Sequence, residues 1–103
     1  MARRRLPNRR ASVTRTIQFG TMKYEITVSF FDDGKPAETF VRLDMFVRSN
    51  PLEHMVADAA VAVSLGLQYG VPADVMRKAF LREDNGEPMS IFGKIMDMIE
   101  EEG

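Results

Sequence analysis

Cysteine is absent from this chain of 103 residues, which excludes disulfides, thiolate metal sites, thiyl radicals and cysteine nucleophiles. Histidine occurs once, so no histidine cluster can be assembled from this chain alone. Long apolar runs are missing as well. The longest uncharged stretch, Ala59 to Ala73, is interrupted by Ser64, Gln68 and Pro72 and falls short of the roughly 18 apolar residues that a membrane span requires. Arg3, Arg4 and Arg5 would suit the start of a secretory signal, but no apolar segment follows them. The expectation is a cytoplasmic protein with no membrane partner. No internal repeat is visible.

Acidic residues are missing from one end. The first fifteen residues carry Arg3, Arg4, Arg5, Arg9, Arg10 and Arg15 with no Asp or Glu among them. All 15 acids therefore lie in the remainder, and the net charge of −1 hides a basic arm on an acidic body. Such a division points to an arm that binds an anion or that folds back on its own body. Residues 1–11 read as this arm, since Pro7, Asn8 and the arginines offer no apolar periodicity. Residues 12–103 read as a single domain, because 45% hydrophobic content at this length suffices for one core.

Within that domain the period of hydrophobicity changes midway. Val13, Ile17 and Phe19 alternate with Thr14, Thr16 and Gln18, and a strand ends at Gly20-Thr21. Met22, Tyr24, Ile26, Val28 and Phe30 then face one way while Lys23, Glu25, Thr27 and Ser29 face the other. Asp32-Asp33-Gly34-Lys35 reads as a hairpin turn, and Glu38 to Phe46 as a third strand with Val41, Leu43 and Met45 inward. Phe40 and Phe46 break that alternation and read as strand-end residues or a bulge. After Ser49-Asn50-Pro51 the spacing becomes helical. Val56, Ala60, Val63 and Leu67 form one stripe, with Ser49 or Asn50 as cap and Gly70 as terminator. A second helix follows Pro72 with Val75, Met76, Ala79 and Phe80 as its apolar face. A third begins at Ser90 and buries Ile91, Phe92, Ile95, Met98 and Ile99. Three antiparallel strands followed by three helices make an α+β fold, a meander with helices on one sheet face.

Arg5-Leu6-Pro7-Asn8-Arg9-Arg10, Asp33-Gly34 with Glu38 and Phe40, Asp58, and the run Ser64-Leu65-Gly66-Leu67-Gln68-Tyr69-Gly70-Val71-Pro72, closed by Gly86, Pro88 and Ser90, together resemble the TSCPD domain family. That family occurs at the carboxy-terminal end of adenosylcobalamin-dependent class II ribonucleotide reductases and as short freestanding proteins. The Thr-Ser-Cys-Pro-Asp word that names it has no counterpart here. The resemblance implies a link to deoxyribonucleotide synthesis and a reductase subunit as partner. It assigns adenosylcobalamin to the full-length reductases, so this chain is expected to bind no cofactor of its own.

Several groups are candidates for chemistry. Arg3, Arg4, Arg5, Arg9 and Arg10 can hold phosphates of a nucleotide or nucleic acid bidentately, against the alternative of a solvated or self-docked tail. His54 and Asp58, one helical turn apart, could act as base and orienting acid, although a surface pair explains the spacing as well. Asp32, Asp33 and Glu38 could gather a hard cation or be a plain solvated turn. Ser64 and Gln68 form a polar step on an apolar helix, either ligand contacts or side chains bonded to main chain, with the glutamine expected to fix the turn at Gly70-Val71-Pro72. Met55, Ala59, Ala62 and Gly66 make a stripe, small after its first member, that admits close approach by the last helix or by a twofold partner. No catalytic residue or metal cluster emerges. The function expected is a non-catalytic accessory or regulatory domain, related to ribonucleotide reductase through the resemblance, that holds a phosphate-bearing ligand through its arginine-rich arm. The alternative is an interaction module that self-associates or docks on a reductase subunit through that stripe.

Overall fold

The computed structural model describes residues 2–43 and 51–102. The elements run β1 (Ser12–Phe19), β2 (Met22–Phe30), β3 (Pro36–Leu43), α1 (Pro51–Gln68), α2 (Ala73–Ala79) and α3 (Ile91–Glu102). Three antiparallel strands in the order β1-β2-β3 followed by three helices form the α+β arrangement that the change of period implied. The chain divides into two compact units, residues 1–70 and 71–103.

In the first unit the alternating strands meet in register, with Val13 opposite Val28, Ile17 opposite Tyr24, Val28 opposite Thr39 and Ile26 opposite Val41. One sheet face is therefore apolar. Ile26 and Leu43 are fully enclosed, and Tyr24, Val28 and Val41 are buried beside them. Burial of each such side chain contributes roughly 1.5–3 kcal/mol. The other face is wet, and there Thr14 and Thr27 pair through their hydroxyls at 2.9 Å. The β2–β3 turn follows its composition: Gly34 takes φ 86° and donates its N–H to Phe31 O at 2.9 Å. Lys35 N donates to Asp33 Oδ1 at 3.0 Å.

The bulge lies elsewhere than Phe40. Register slips between Ser29 and Phe30 on β2, which turns Phe31 inward. Phe40 keeps its place mid-strand on the wet face, 54% exposed. The extra residue is Ala37 on β3, which has no partner between the Ser29–Glu38 and Phe30–Pro36 pairs, while Ala37, Thr39, Val41 and Leu43 are all buried. Met45, Phe46 and the expected caps Ser49 and Asn50 lie outside the described residues.

Helix α1 buries Val56, Ala60, Val63 and Leu67, the stripe expected of it, together with Ser64 and Gln68. It lies against β3 and ends where Gly70 adopts φ 97°, with Gly70 N bonded to Leu67 O at 3.1 Å. The left-handed backbone turns the chain off the helical path, and glycine adopts it without the strain a side chain would meet.

In the second unit Pro72 starts α2, but none of that helix is buried. Val75 and Ala79 are exposed, and Met76 and Phe80 only half-covered, so the apolar face expected for this helix does not form. Two turns are too short to enclose one. Helix α3 buries Ile91, Ile95, Met98 and Ile99 as expected, leaves Phe92 half-buried, and adds Met96, which is almost wholly enclosed. Between the two helices a tight turn places Gly86 at φ 88° and bridges Arg82 to Pro88.

Four charged side chains fasten this second unit. Arg82 grips Asp97 with two bonds, Nη2 to Oδ1 at 2.7 Å and Nη1 to Oδ2 at 3.2 Å, and reaches Arg77 O and Gly86 O besides. Arg77 Nε lies 2.8 Å from Glu100 Oε2 but off the line of its N–H, an ion pair without a hydrogen bond. The hydrogen bond from Arg82 holds the Asp97 carboxyl below the usual range against the opposing effect of partial burial. A depressed carboxyl contributes stability that is complete above its unfolded pKa of about 3.9 and lost as pH falls through the lower folded value. We expect protection of the α3 amides in hydrogen exchange to be flat from neutrality to about pH 5 and to fall below about pH 4. Asp97→Asn should remove part of that fall, and a variant as acid-sensitive as the parent would contradict this role.

Candidate functional site at the arm and the edge of the sheet

The open edge of β3 is where the arm, the sheet and α1 converge. Antiparallel pairing turns the N–H and C=O of Thr39 away from β2. An exposed edge of this kind would invite another strand. Here α1 closes it with side chains. Thr39 N donates to Ser64 Oγ at 2.9 Å, and the single Ser64 proton lies between Ala60 O at 2.7 Å and Thr39 O at 3.2 Å. One turn later Gln68 Nε2 donates to Ala37 O at 3.1 Å. The glutamine thus satisfies main chain as expected of a buried amide, but that of β3 and not of the Gly70-Pro72 turn. The i, i+4 spacing of Ser64 and Gln68 matches two strand residues, and the helix runs antiparallel to the strand.

The arm is docked, not loose. Arg3 Nε donates to Gln68 Oε1 at 2.6 Å, and Arg4 N donates to Gln68 O at 2.7 Å. The Arg4 guanidinium pairs with Asp33 at 2.8 Å and lies 3.9 Å from the centre of the Phe31 ring. Asp33 is held below the usual carboxylate range, first by the Lys35 amide and then by Arg4. Arg10 reaches Glu38 at 2.7 Å and returns a bond to Pro7 O at 3.0 Å. Glu38 is a buried acid, which requires such a partner. Ala11 O then accepts from Phe30 N at 2.9 Å. The physical reason is the charge asymmetry itself: the nearest acids to a basic leader belong to its own body.

The five candidate arginines therefore separate. Arg3, Arg4 and Arg10 are engaged with the body, whereas Arg5 and Arg9 are exposed and make no ion pair among the described residues. Asp33 and Glu38 are each taken by an arginine, and no group of three metal-ligating side chains occurs among the described residues. His54 and Asp58 both lie exposed on α1. On the small-residue stripe Met55 is 70% exposed, Ala62 is exposed, and Ala59 and Gly66 are half-buried.

Sequence reading missed the concavity beside this edge. A groove of about 530 Å³ runs between β3 and α1, and Arg3, Phe40, Arg42, Val61 and Leu65 are among its lining residues. Phe40 and Arg42 stand two apart on one strand, and Val61 and Leu65 one turn apart on one helix. That pair of spacings was the available signal. No helix among the described residues is long and apolar enough to cross a membrane.

The TSCPD domain family matches residues 2–101 of the chain. The vitamin B12-dependent ribonucleotide reductase of Bradyrhizobium diazoefficiens is 38% identical over 78 residues, 76% of this chain and 6% of that protein. The enzyme of the same name from Agrobacterium fabrum matches to the same extent, and that of Streptantibioticus cattleyicolor is 31% identical over 76% of this chain and 13% of its own length. The chain thus spans only a small fraction of these relatives. No solved structure matches it significantly.

Proposed function

This chain belongs to the TSCPD domain family, and from that premise we propose that it is a non-catalytic accessory module of deoxyribonucleotide synthesis that holds a phosphate-bearing ligand through its arginine arm. The observation that carries this reading is the division of labour along the arm. Arg3, Arg4 and Arg10 bond to the body and fix the leader in place. Arg5 and Arg9 are presented outward from a backbone that is already ordered. Two exposed guanidinium forks on a pinned segment lose less conformational freedom on binding phosphate than they would on a free tail. The absence of cysteine from the chain supports the non-catalytic part, since a thiyl radical cannot be formed on it.

Deleting the arm would be a poor test, because it would also strip Gln68 and Glu38 of their partners. The double variant Arg5→Gln/Arg9→Gln leaves those bonds intact. With a single-stranded oligonucleotide as probe, the parent should bind with an affinity that falls steeply with salt. The variant should bind more weakly and lower the slope of log affinity against log salt by about 1.4, the loss of two contacts. An unchanged slope with unchanged affinity would overturn the reading.

A further inference from the structure

The groove beside the edge strand has a distribution of polarity that selects its occupant. Its lining includes the buried Ala60 and Val41 and three large side chains that folding leaves uncovered, Phe40, Val61 at 58% exposure and Leu65. Arginines stand at either end. Bonds from Ala37 to Gln68 and from Thr39 to Ala60 and Ser64 set β3 antiparallel to α1. Arg3, bonded to Gln68, therefore marks one end, and Arg42, three residues beyond Thr39, marks the other. The one acid in the lining, Glu38, is already paired with Arg10. Across the strand pair from Arg42 lies Glu25, yet Arg42 makes no ion pair among the described residues.

We propose that this groove seats a single nucleoside phosphate, with its base on Phe40, Val61 and Leu65 and its phosphates toward Arg3. An apolar trough of this volume falls in the range of small-ligand sites. An exposed aromatic ring offers a stacking surface that every base can use. At the Arg3 end phosphate charge meets the Arg3 guanidinium, and the exposed Arg5 follows two residues on along the arm. At the other end Arg42, which makes no ion pair among the described residues, suits a base edge that presents acceptors, as guanine does with O6 and N7. The groove lies between a strand and a helix of one protein unit, and its volume is that of a single small ligand. The proposal rests on the phosphate-binding reading of the arm and adds the seat for the rest of the ligand.

The test is a titration of the isotopically labelled chain with dGTP and, separately, with inorganic tripolyphosphate, followed by amide chemical shifts. Expected with dGTP are shifts at residues 38–42 and 57–68 that tripolyphosphate does not reproduce. Phe40→Ala should weaken dGTP about tenfold and Arg42→Gln about fivefold. Both side chains are exposed, so the fold should survive either change. Shifts confined to residues 2–11 with both probes would overturn the groove and leave the arm reading standing. Groove shifts of the same affinity in Arg5→Gln/Arg9→Gln would support the groove and overturn the arm reading for this ligand. No shift with either probe would overturn both.

Discussion

Ser64→Ala should lower the unfolding free energy of the first unit by about 1–3 kcal/mol, the cost of one orphaned buried N–H. The sign is informative because local preference favours the opposite outcome. Alanine is the better helix former by about 0.5 kcal/mol, and an exposed serine on α1 would gain from the change. Ser64, however, is the partner of Thr39 N, and Thr39 is 1% exposed. No water can replace the hydroxyl there without opening the edge of the sheet. Denaturant unfolding decides the matter, and a variant as stable as the parent would show that the helix does not close β3 through this contact. Adding Gln68→Leu should deepen the loss, since Ala37 O and Arg3 Nε then lack partners as well. The double variant should also associate, because an edge with unmet N–H and C=O groups pairs with its neighbours. Light scattering reads that second effect independently of stability.

Gly93→Val should disable the second unit. Glycine in a helix ordinarily costs about 1 kcal/mol relative to alanine, so replacing it would usually help. Here a Cβ at Gly93 would lie 2.7 Å from Pro88 Cβ and 3.5 Å from Pro88 Cα. A flexible side chain could swing aside, but a proline ring is tied to its backbone. That backbone is itself held, by the bridge to Arg82 and by Met89 N to Leu81 O at 3.0 Å. Overpacking of this kind costs typically 1–3 kcal/mol, and the branched valine adds further bulk to a buried position. We expect amide protection across residues 95–99 to collapse while that of β2 persists. Gly93→Ala should lie between parent and valine variant. Protection equal to the parent in both would mean that Pro88 moves freely.

Much of the architecture was legible because period and polarity coincide with burial. The two-residue alternation from Met22 to Val28 and the stripe through Val56, Ala60, Val63 and Leu67 became the sheet face and the helix face they described. The register shift between Ser29 and Phe30 was not legible, since the unpaired Ala37 leaves the alternation of Ala37, Thr39, Val41 and Leu43 unbroken. The partners of the arginines were equally hidden. Arg3 and Gln68 are 65 residues apart, and Arg82 and Asp97 are joined across a turn whose direction no local pattern records. Sequence could say that the leader would seek negative charge, not that three of its five leading guanidinium groups would find acceptors at home. The groove was missed for a related reason, because it is made from residues that folding leaves out and a search for periodic burial passes over them.

The bond between Arg3 and Gln68 also sets an order of events during synthesis. The arm leaves the ribosome ahead of its acceptor at the end of α1, which is made 65 residues later. At roughly 5–20 residues per second the arm must wait for seconds with its positive charges bare. It can latch only after α1 has wound and settled beside β3. Closure of this strap thus follows the winding of α1, and the nascent chain passes through an interval in which its cationic arm is open to any polyanion nearby.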